Sequence, residues 1–219
     1  MNGFYRVMRV IAIGIFKVIF PYRVVHKNSL PQEGRYIVCA NHISMKDPVF
    51  LGITQRRQLY FMAKKELFQN KLLAFFIRKL GAFPVYRGTG DTKAVGTAFE
   101  ILEQGHVLGI FPEGTRSKDG KLLRPKPGAA IFSHQSSTPI LPAAIVAKNG
   151  RVRLFHRTVI VYGEPIQPEE LGIDTGSGLE LRNASRLIMT RIGALRERGL
   201  ALLGATENRT KNEGQTVEH

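Results

Sequence analysis

Cysteine is nearly absent from this 219-residue chain: there is one, Cys39. A single cysteine excludes an intramolecular disulfide and suits a reducing, cytosol-facing setting. Acidic residues are also scarce, 17 against 32 lysines and arginines, leaving a formal net charge of +15. The excess is uneven. Residues 1–27 carry Arg6, Arg9, Lys17, Arg23 and Lys27 and no acid, and residues 56–87 carry a net +7. A field of this sign attracts anions, whether nucleic acid, anionic lipid, phosphorylated substrate or acidic partner, and charge alone does not choose among them. Standard catalytic signatures are missing too. The sequence has no Gly-x-Ser-x-Gly elbow, no phosphate-binding Gly-x-x-x-x-Gly-Lys-[Ser/Thr] loop and no paired metal-ligand spacing. It has no internal repeat, no RNA-binding aromatic signature and no convincing signal-peptide cleavage site.

What is present reads as an α/β chain of ordinary composition, 43% hydrophobic and 22% charged, long enough for one real core. From residue 34, apolar runs of strand length alternate with helical patterns. Strands are expected at 35–40, 58–63, 82–86, 107–111, 140–146 and 153–162. Helices are expected from Asp47-Pro48, over 65–80, over 91–104 with Gly105 as the stop, from Pro127, and over 177–203. The fold class is therefore a mixed, largely parallel sheet flanked by helices. Three regions follow: an N-terminal membrane-associating helix at 1–23, a central domain at 24–203, and a disordered tail at 204–219.

In such sheets ligands gather beyond the carboxyl ends of the strands, and four segments end up there. After the first expected strand stands Asn41-His42-Ile43-Ser44-Met45-Lys46-Asp47. His42 and Asp47 could face each other across the loop, the carboxylate fixing the imidazole tautomer while the other ring nitrogen takes a proton. Alternatively, Asp47 only caps a helix and His42 only occupies a loop. After the 107–111 strand comes Phe111-Pro112-Glu113-Gly114-Thr115-Arg116-Ser117. There Gly114 permits close backbone approach, Thr115 and Ser117 supply hydroxyls, and Arg116 supplies a forked donor for phosphate. Arg87 ends the 82–86 strand, and Leu141-Pro142-Ala143-Ala144 lies in the 140–146 run, its proline read as an edge or bulge feature.

These four segments resemble, in order and spacing, the four conserved blocks of the glycerolipid acyltransferases. NHISMKD is similar to the Asn-His-x-x-x-x-Asp block, GAFPVYRG, FPEGTRS and ILPAAI to the second, third and fourth, and FMAKKELFQNK adds to the likeness. The resemblance covers about residues 24–165 and is strongest to bacterial 1-acyl-sn-glycerol-3-phosphate acyltransferases. It implies acyl transfer from acyl-CoA or an acidic acyl carrier protein to the free hydroxyl of a lysophosphatidic acid. His42 would act as base, oriented by Asp47, with Arg87 and Arg116 on the acceptor phosphate and backbone near Gly114 assisting. Glu113 would orient Arg116 or the acceptor, Asn41 or backbone groups would stabilise the oxyanion, and no metal or redox cofactor is needed. Another acceptor, glycerol-3-phosphate or a different lysophospholipid, is the alternative reading, and a non-enzymatic module for anionic lipid or nucleic acid is the third; nucleic acid is not expected as a partner.

Residues 4–20 are apolar with three basic interruptions. As a helix they would extend about 26 Å at ~1.5 Å per residue, short of a ~30 Å hydrocarbon core. Arg6, Arg9 and Lys17 share one arc, while Phe4, Val7, Ile11, Ile15, Val18 and Ile19 lie mainly opposite, with Ile13 among the cations. This pattern predicts a helix lying in an anionic membrane interface, with the three cations as membrane contacts. The protein is then peripheral or monotopic, on the cytoplasmic face of the cell membrane. A core helix and a spanning helix are the competing readings.

Overall fold

The structure is a computed structural model. It describes residues 2–26, 30–86 and 90–215, with side chains as far as 205. Seven strands form one sheet: β1 (Tyr22–Val25), β2 (Tyr36–Ala40), β3 (Leu59–Lys64), β4 (Ala82–Val85), β5 (Val107–Ile110), β6 (Ile140–Ala147) and β7 (Thr158–Tyr162). Their order is β1-β7-β6-β2-β5-β3-β4, and every neighbouring pair is parallel except β6 with β7. The mixed, largely parallel α/β sheet expected from the alternating pattern is present. β1 is the strand the sequence did not reveal, because four residues beside a proline give too short a period to register. Only the last five residues of the expected 153–162 strand join the sheet.

Alternation of side chains sends each strand's residues to two layers. Ile37 and Cys39 of β2 join a core with Ala98, Leu102, Phe132 and Ile188, from helices α4 (Thr92–Glu103), α5 (Gly128–Gln135) and α6 (Gly178–Gln215). Tyr36, Val38 and Ala40 join the opposite core with Phe50, Leu51 and Ile53 of α2 (Asp47–Thr54). Burial on both faces explains why β2 reads as an unbroken apolar run. Cys39 lies fully buried in that strand, where loss of solvent pushes its thiol pKa up, so it is a packing residue and not a nucleophile.

Helix α1 (Gly3–Ile19) starts at Asn2, whose side chain accepts the Tyr5 amide, and ends at Phe20 before Pro21. One face packs on α2: Tyr5 is buried, Phe16 meets the Phe50 ring edge-on at 5.0 Å, and Ala12 and Ile13 join the same core. The other face leaves Val7, Val10, Ile11, Ile15 and Val18 exposed, with Arg6 and Lys17. Arg9 departs from its expected membrane contact. Its guanidinium donates to the carbonyls of Gly52, Ile53 and Gln55, completing the C-terminal end of α2, where a cation meets both unpaired carbonyls and the helix dipole. Among the described residues no helix is long and apolar enough to cross a membrane.

Two further boundaries differ. The expected 65–80 helix is a 3-10 turn (Lys65–Phe68) followed by α3 (Lys71–Lys79), because Asn70 caps the Leu73 amide and restarts the helix. α6 does not stop at 203 before a disordered tail; it runs to Gln215, with no proline to end it, and 216–219 lie outside the described residues.

Candidate active site

β2 and β5 are adjacent, and their carboxyl ends feed the two loops that matter most. The 111–117 loop divides its residues between two tasks. Glu113 and Ser117 are buried and hold the His42 peptide from both sides: Glu113 Oε1 accepts the His42 N–H at 3.1 Å, and the Ser117 N–H donates to the His42 carbonyl at 2.7 Å. Gly114, Thr115 and Arg116, at the turn between them, line a cavity of about 850 Å³. Gly114 sits at φ +66, a conformation that strains residues with a Cβ, and an added Cβ would also press on Lys126 at 3.0 Å.

His42 Nδ1 lies 2.8 Å from Asp47 Oδ2. The same oxygen accepts the Ile43 and Ser44 amides at 2.7 Å each. Asp47 is therefore not a helix N-cap: it is the first residue of α2, and it turns back onto the loop before it instead of capping the amides ahead. A carboxylate can only accept, so Nδ1 carries the proton and Nε2 keeps its lone pair. Nε2 bonds to no described residue, and His42 lines the cavity. The ring is stacked on Phe111, centroids 4.0 Å apart and planes 16° from parallel, and Phe111 stacks in turn near Phe61 at 5.9 Å. This column fixes the imidazole plane. Such an arrangement can accept a proton at Nε2 while the buried carboxylate stabilises the resulting cation.

The cavity wall is mostly apolar. Met8 and Ala12 of α1, Val49 and Ile53 of α2, Leu67, Ile77, Leu80, Phe61 and Met62 contribute, enough to receive hydrocarbon. Gly109 opens the floor, since a Cβ there would lie 2.1 Å from the Phe61 ring. Charge is confined to Arg9, Lys64, Arg116 and Lys126. Arg116 is exposed and pairs with no described residue. Lys64 and Lys126 were not singled out in the sequence. Lys64 belongs to a run, FMAKK, whose position at the end of a strand was the available signal; Lys126 lies twelve residues beyond Gly114, and only the fold brings it back.

Three expected substrate contacts fall elsewhere. Asn41 is buried with both ends of its amide bound to the Ile145 backbone, Oδ1 accepting its N–H at 2.8 Å and Nδ2 donating to its carbonyl at 3.0 Å, so it ties β2 to β6 and has nothing left for an oxyanion. Glu113 orients neither Arg116 nor an acceptor: Oε2 accepts the Leu123 amide at 3.2 Å while Oε1 holds His42. Burial is the main cause that pushes its carboxyl up to about 7, with Asp47 adding to it and the two amide bonds opposing. The Ser117 hydroxyl donates to Asp119 at 3.1 Å, away from the cavity. Ser44 donates no proton to His42 and instead accepts the Lys46 amide at 3.2 Å. Pro142, expected at an edge or bulge, lies in the interior strand β6, beyond the point where pairing with β7 ends. Arg87 lies outside the described residues. No cluster of three or more potential metal ligands occurs among the described residues.

Residues 22–146 match the family model described as acyltransferase. The chain is 33% identical, over 66% of its length and 73% of the other protein, to a 1-acyl-sn-glycerol-3-phosphate acyltransferase of Bacillus subtilis. It is 32% identical to a lyso-ornithine lipid O-acyltransferase of Pseudomonas aeruginosa, over 57% of this chain and 48% of that one. Its fold matches the crystal structure of the 1-acyl-sn-glycerophosphate (LPA) acyltransferase from Thermotoga maritima with a TM-score of 0.67 and 25% identity, covering 88% of this chain and 78% of that one.

Proposed function

Since this chain belongs to the acyltransferase family, we propose that it acylates the free hydroxyl of 1-acyl-sn-glycerol-3-phosphate to give phosphatidic acid. The observation that carries the reading is the 2.8 Å contact of His42 with Asp47 at an apolar cavity that also holds an unpaired Arg116. His42 Nε2 removes the acceptor hydroxyl proton as the oxygen attacks the thioester carbonyl of the donor. The tetrahedral intermediate collapses, the carbon–sulfur bond breaks, and the thiolate recovers the proton from the imidazolium. Asp47 keeps Nδ1–H in place throughout and offsets the transient positive charge. The acceptor phosphate lies against Arg116, with Lys126 and Lys64 as further cations, and its acyl chain occupies the apolar wall. The donor is acyl-CoA or acyl carrier protein, both anionic, which suits the basic 56–87 region.

The acceptor lives in a bilayer, so the site must meet one. The outer face of α1, with Val7, Val10, Ile11, Ile15 and Val18 flanked by Arg6 and Lys17, supports an interfacial helix on an anionic leaflet, and the exposed Leu72 and Phe75 of α3 extend it. The inner face of the same helix forms the cavity wall, so anchor and active site are one unit.

The deciding experiment incubates purified protein with lysophosphatidic acid and either palmitoyl-CoA or palmitoyl-acyl carrier protein, and identifies the product by mass. Phosphatidic acid, abolished in His42→Ala, is the expected result; no acylation of this acceptor would sink the proposal. A second acceptor has a specific basis: the Pseudomonas relative is named for lyso-ornithine lipid. A panel containing both acceptors separates the two readings, and dependence on Arg116 is expected only for the phosphorylated one.

A further inference from the structure

The loop joining β6 to β7 carries a feature that catalysis does not use. Residues 151–157 read Arg151-Val152-Arg153-Leu154-Phe155-His156-Arg157, and all but Val152 are exposed. Leu154 is 56% and Phe155 71% exposed, two large apolar side chains side by side at the tip. The three arginines make no ion pair with any described residue. Phe155 has φ +59, a region that bulky residues rarely occupy. The surroundings impose it: the Phe155 N–H donates to the Ile19 carbonyl at 2.7 Å, His156 Nδ1 pairs with the Leu154 carbonyl at 2.8 Å, and Val152 roots the loop in the core. The chain thus holds an aromatic side chain in solvent on a strained backbone.

Its position is specific. Thr158 pairs with Ala147 at the carboxyl end of the parallel strands, so the loop projects from the edge of the sheet that bears His42. The bond to Ile19 joins it to the last turn of α1, whose neighbouring Val18 is 70% exposed. We propose that Leu154 and Phe155 insert into the surface of an anionic bilayer beside α1, while Arg151, Arg153 and Arg157 bind headgroup phosphates around them. An apolar tip inside a collar of unpaired cations matches the interface, where hydrocarbon lies a few ångströms below a layer of negative charge. A second support at the end of α1 would fix the tilt of the cavity mouth relative to the leaflet, which a single helix leaves free to roll. The proposal rests on the interfacial reading of α1.

The chain contains no tryptophan, so Phe155→Trp in the full-length protein creates a lone tryptophan at the tip, excited selectively over the tyrosines. With mixed phosphatidylglycerol–phosphatidylcholine vesicles, its emission should shift to the blue and be quenched by brominated acyl chains. Leu179→Trp, exposed at the start of α6 after β7 has crossed the sheet, should do neither. Val18→Trp reports on α1 separately. A blue shift for Val18→Trp without one for Phe155→Trp would overturn the loop proposal and leave the anchor intact; no shift at either site would overturn both. Adding Arg153→Glu and Arg157→Glu to Phe155→Trp should weaken the vesicle response severalfold, and an unchanged response would remove the headgroup part of the proposal. Neither arginine lines the cavity, so turnover of a detergent-dispersed short-chain acceptor should stay near the parent value.

Discussion

Glu113 holds the peptide of His42 by accepting its N–H at 3.1 Å, and so the residue adjoining Gly114, Thr115 and Arg116 positions the imidazole without touching the cavity. One buried carboxyl thereby couples the two loops from which the site is built.

This carboxyl gives stability a testable pH dependence. Its folded pKa is raised from 4.5 to about 7, so between those values the folded protein retains a proton that the unfolded chain has released. Stability should therefore fall as pH rises through that window. Glu113→Gln should flatten this part of the melting-temperature profile. It should also lower kcat, because the His42 and Leu123 N–H groups are held by different carboxyl oxygens and the NH2 of Gln would face one of them, donor against donor. A profile identical to the parent's would mean that Glu113 titrates normally.

Asp47→Asn places an NH2 or a poorer acceptor where Oδ2 meets His42 Nδ1 and two amides. The imidazole loses its tautomer lock. A fall in kcat of roughly 10²–10⁴, comparable to His42→Ala, is expected from the usual size of general-base catalysis. Steady-state kinetics beside a thermal melt decide the matter; full activity would remove Asp47 from the mechanism.

Arg116→Lys keeps the charge and discards the fork. The KM for the phosphorylated acceptor should rise severalfold with little change for the donor. Equal changes for both would move Arg116 away from the acceptor.

Arg9 and Arg6 lie on one helix with opposite assignments. Arg9→Ala strips three carbonyls of their donor and should cost about 1–3 kcal/mol in denaturant unfolding. Arg6→Ala should leave stability within about 0.5 kcal/mol, as for an ordinary surface change, and weaken sedimentation with anionic vesicles. Equal stability losses would show that α1 presents no distinct outer face.

Gly109→Ala drives a methyl into the Phe61 ring, against which the Phe111–His42 stack is built. A loss of about 1–3 kcal/mol is expected from overpacking, with a larger fall in activity on long-chain than on short-chain acceptors. Unchanged chain-length preference would place the hydrocarbon elsewhere.

Much of this protein was determined by sequence alone, because the information is local. Alternating apolar runs define an α/β sheet, and strand ends place His42, Asp47, Gly114 and Arg116 on one edge whatever the strand order. What the sequence could not decide depends on partners far along the chain. Asn41 reads as a polar residue beside a histidine, and only the pairing of β2 with β6 shows its amide consumed by Ile145, 104 residues away. Glu113 and Arg116 sit in one motif, yet burial sends one behind His42 and the other into the cavity. Arg6, Arg9 and Lys17 share an arc on a helical wheel, but the end of α2 takes Arg9 out of that set, since unpaired carbonyls bind a guanidinium more firmly than water does. Periodicity reports which residues share a face; what covers that face is decided when distant elements meet.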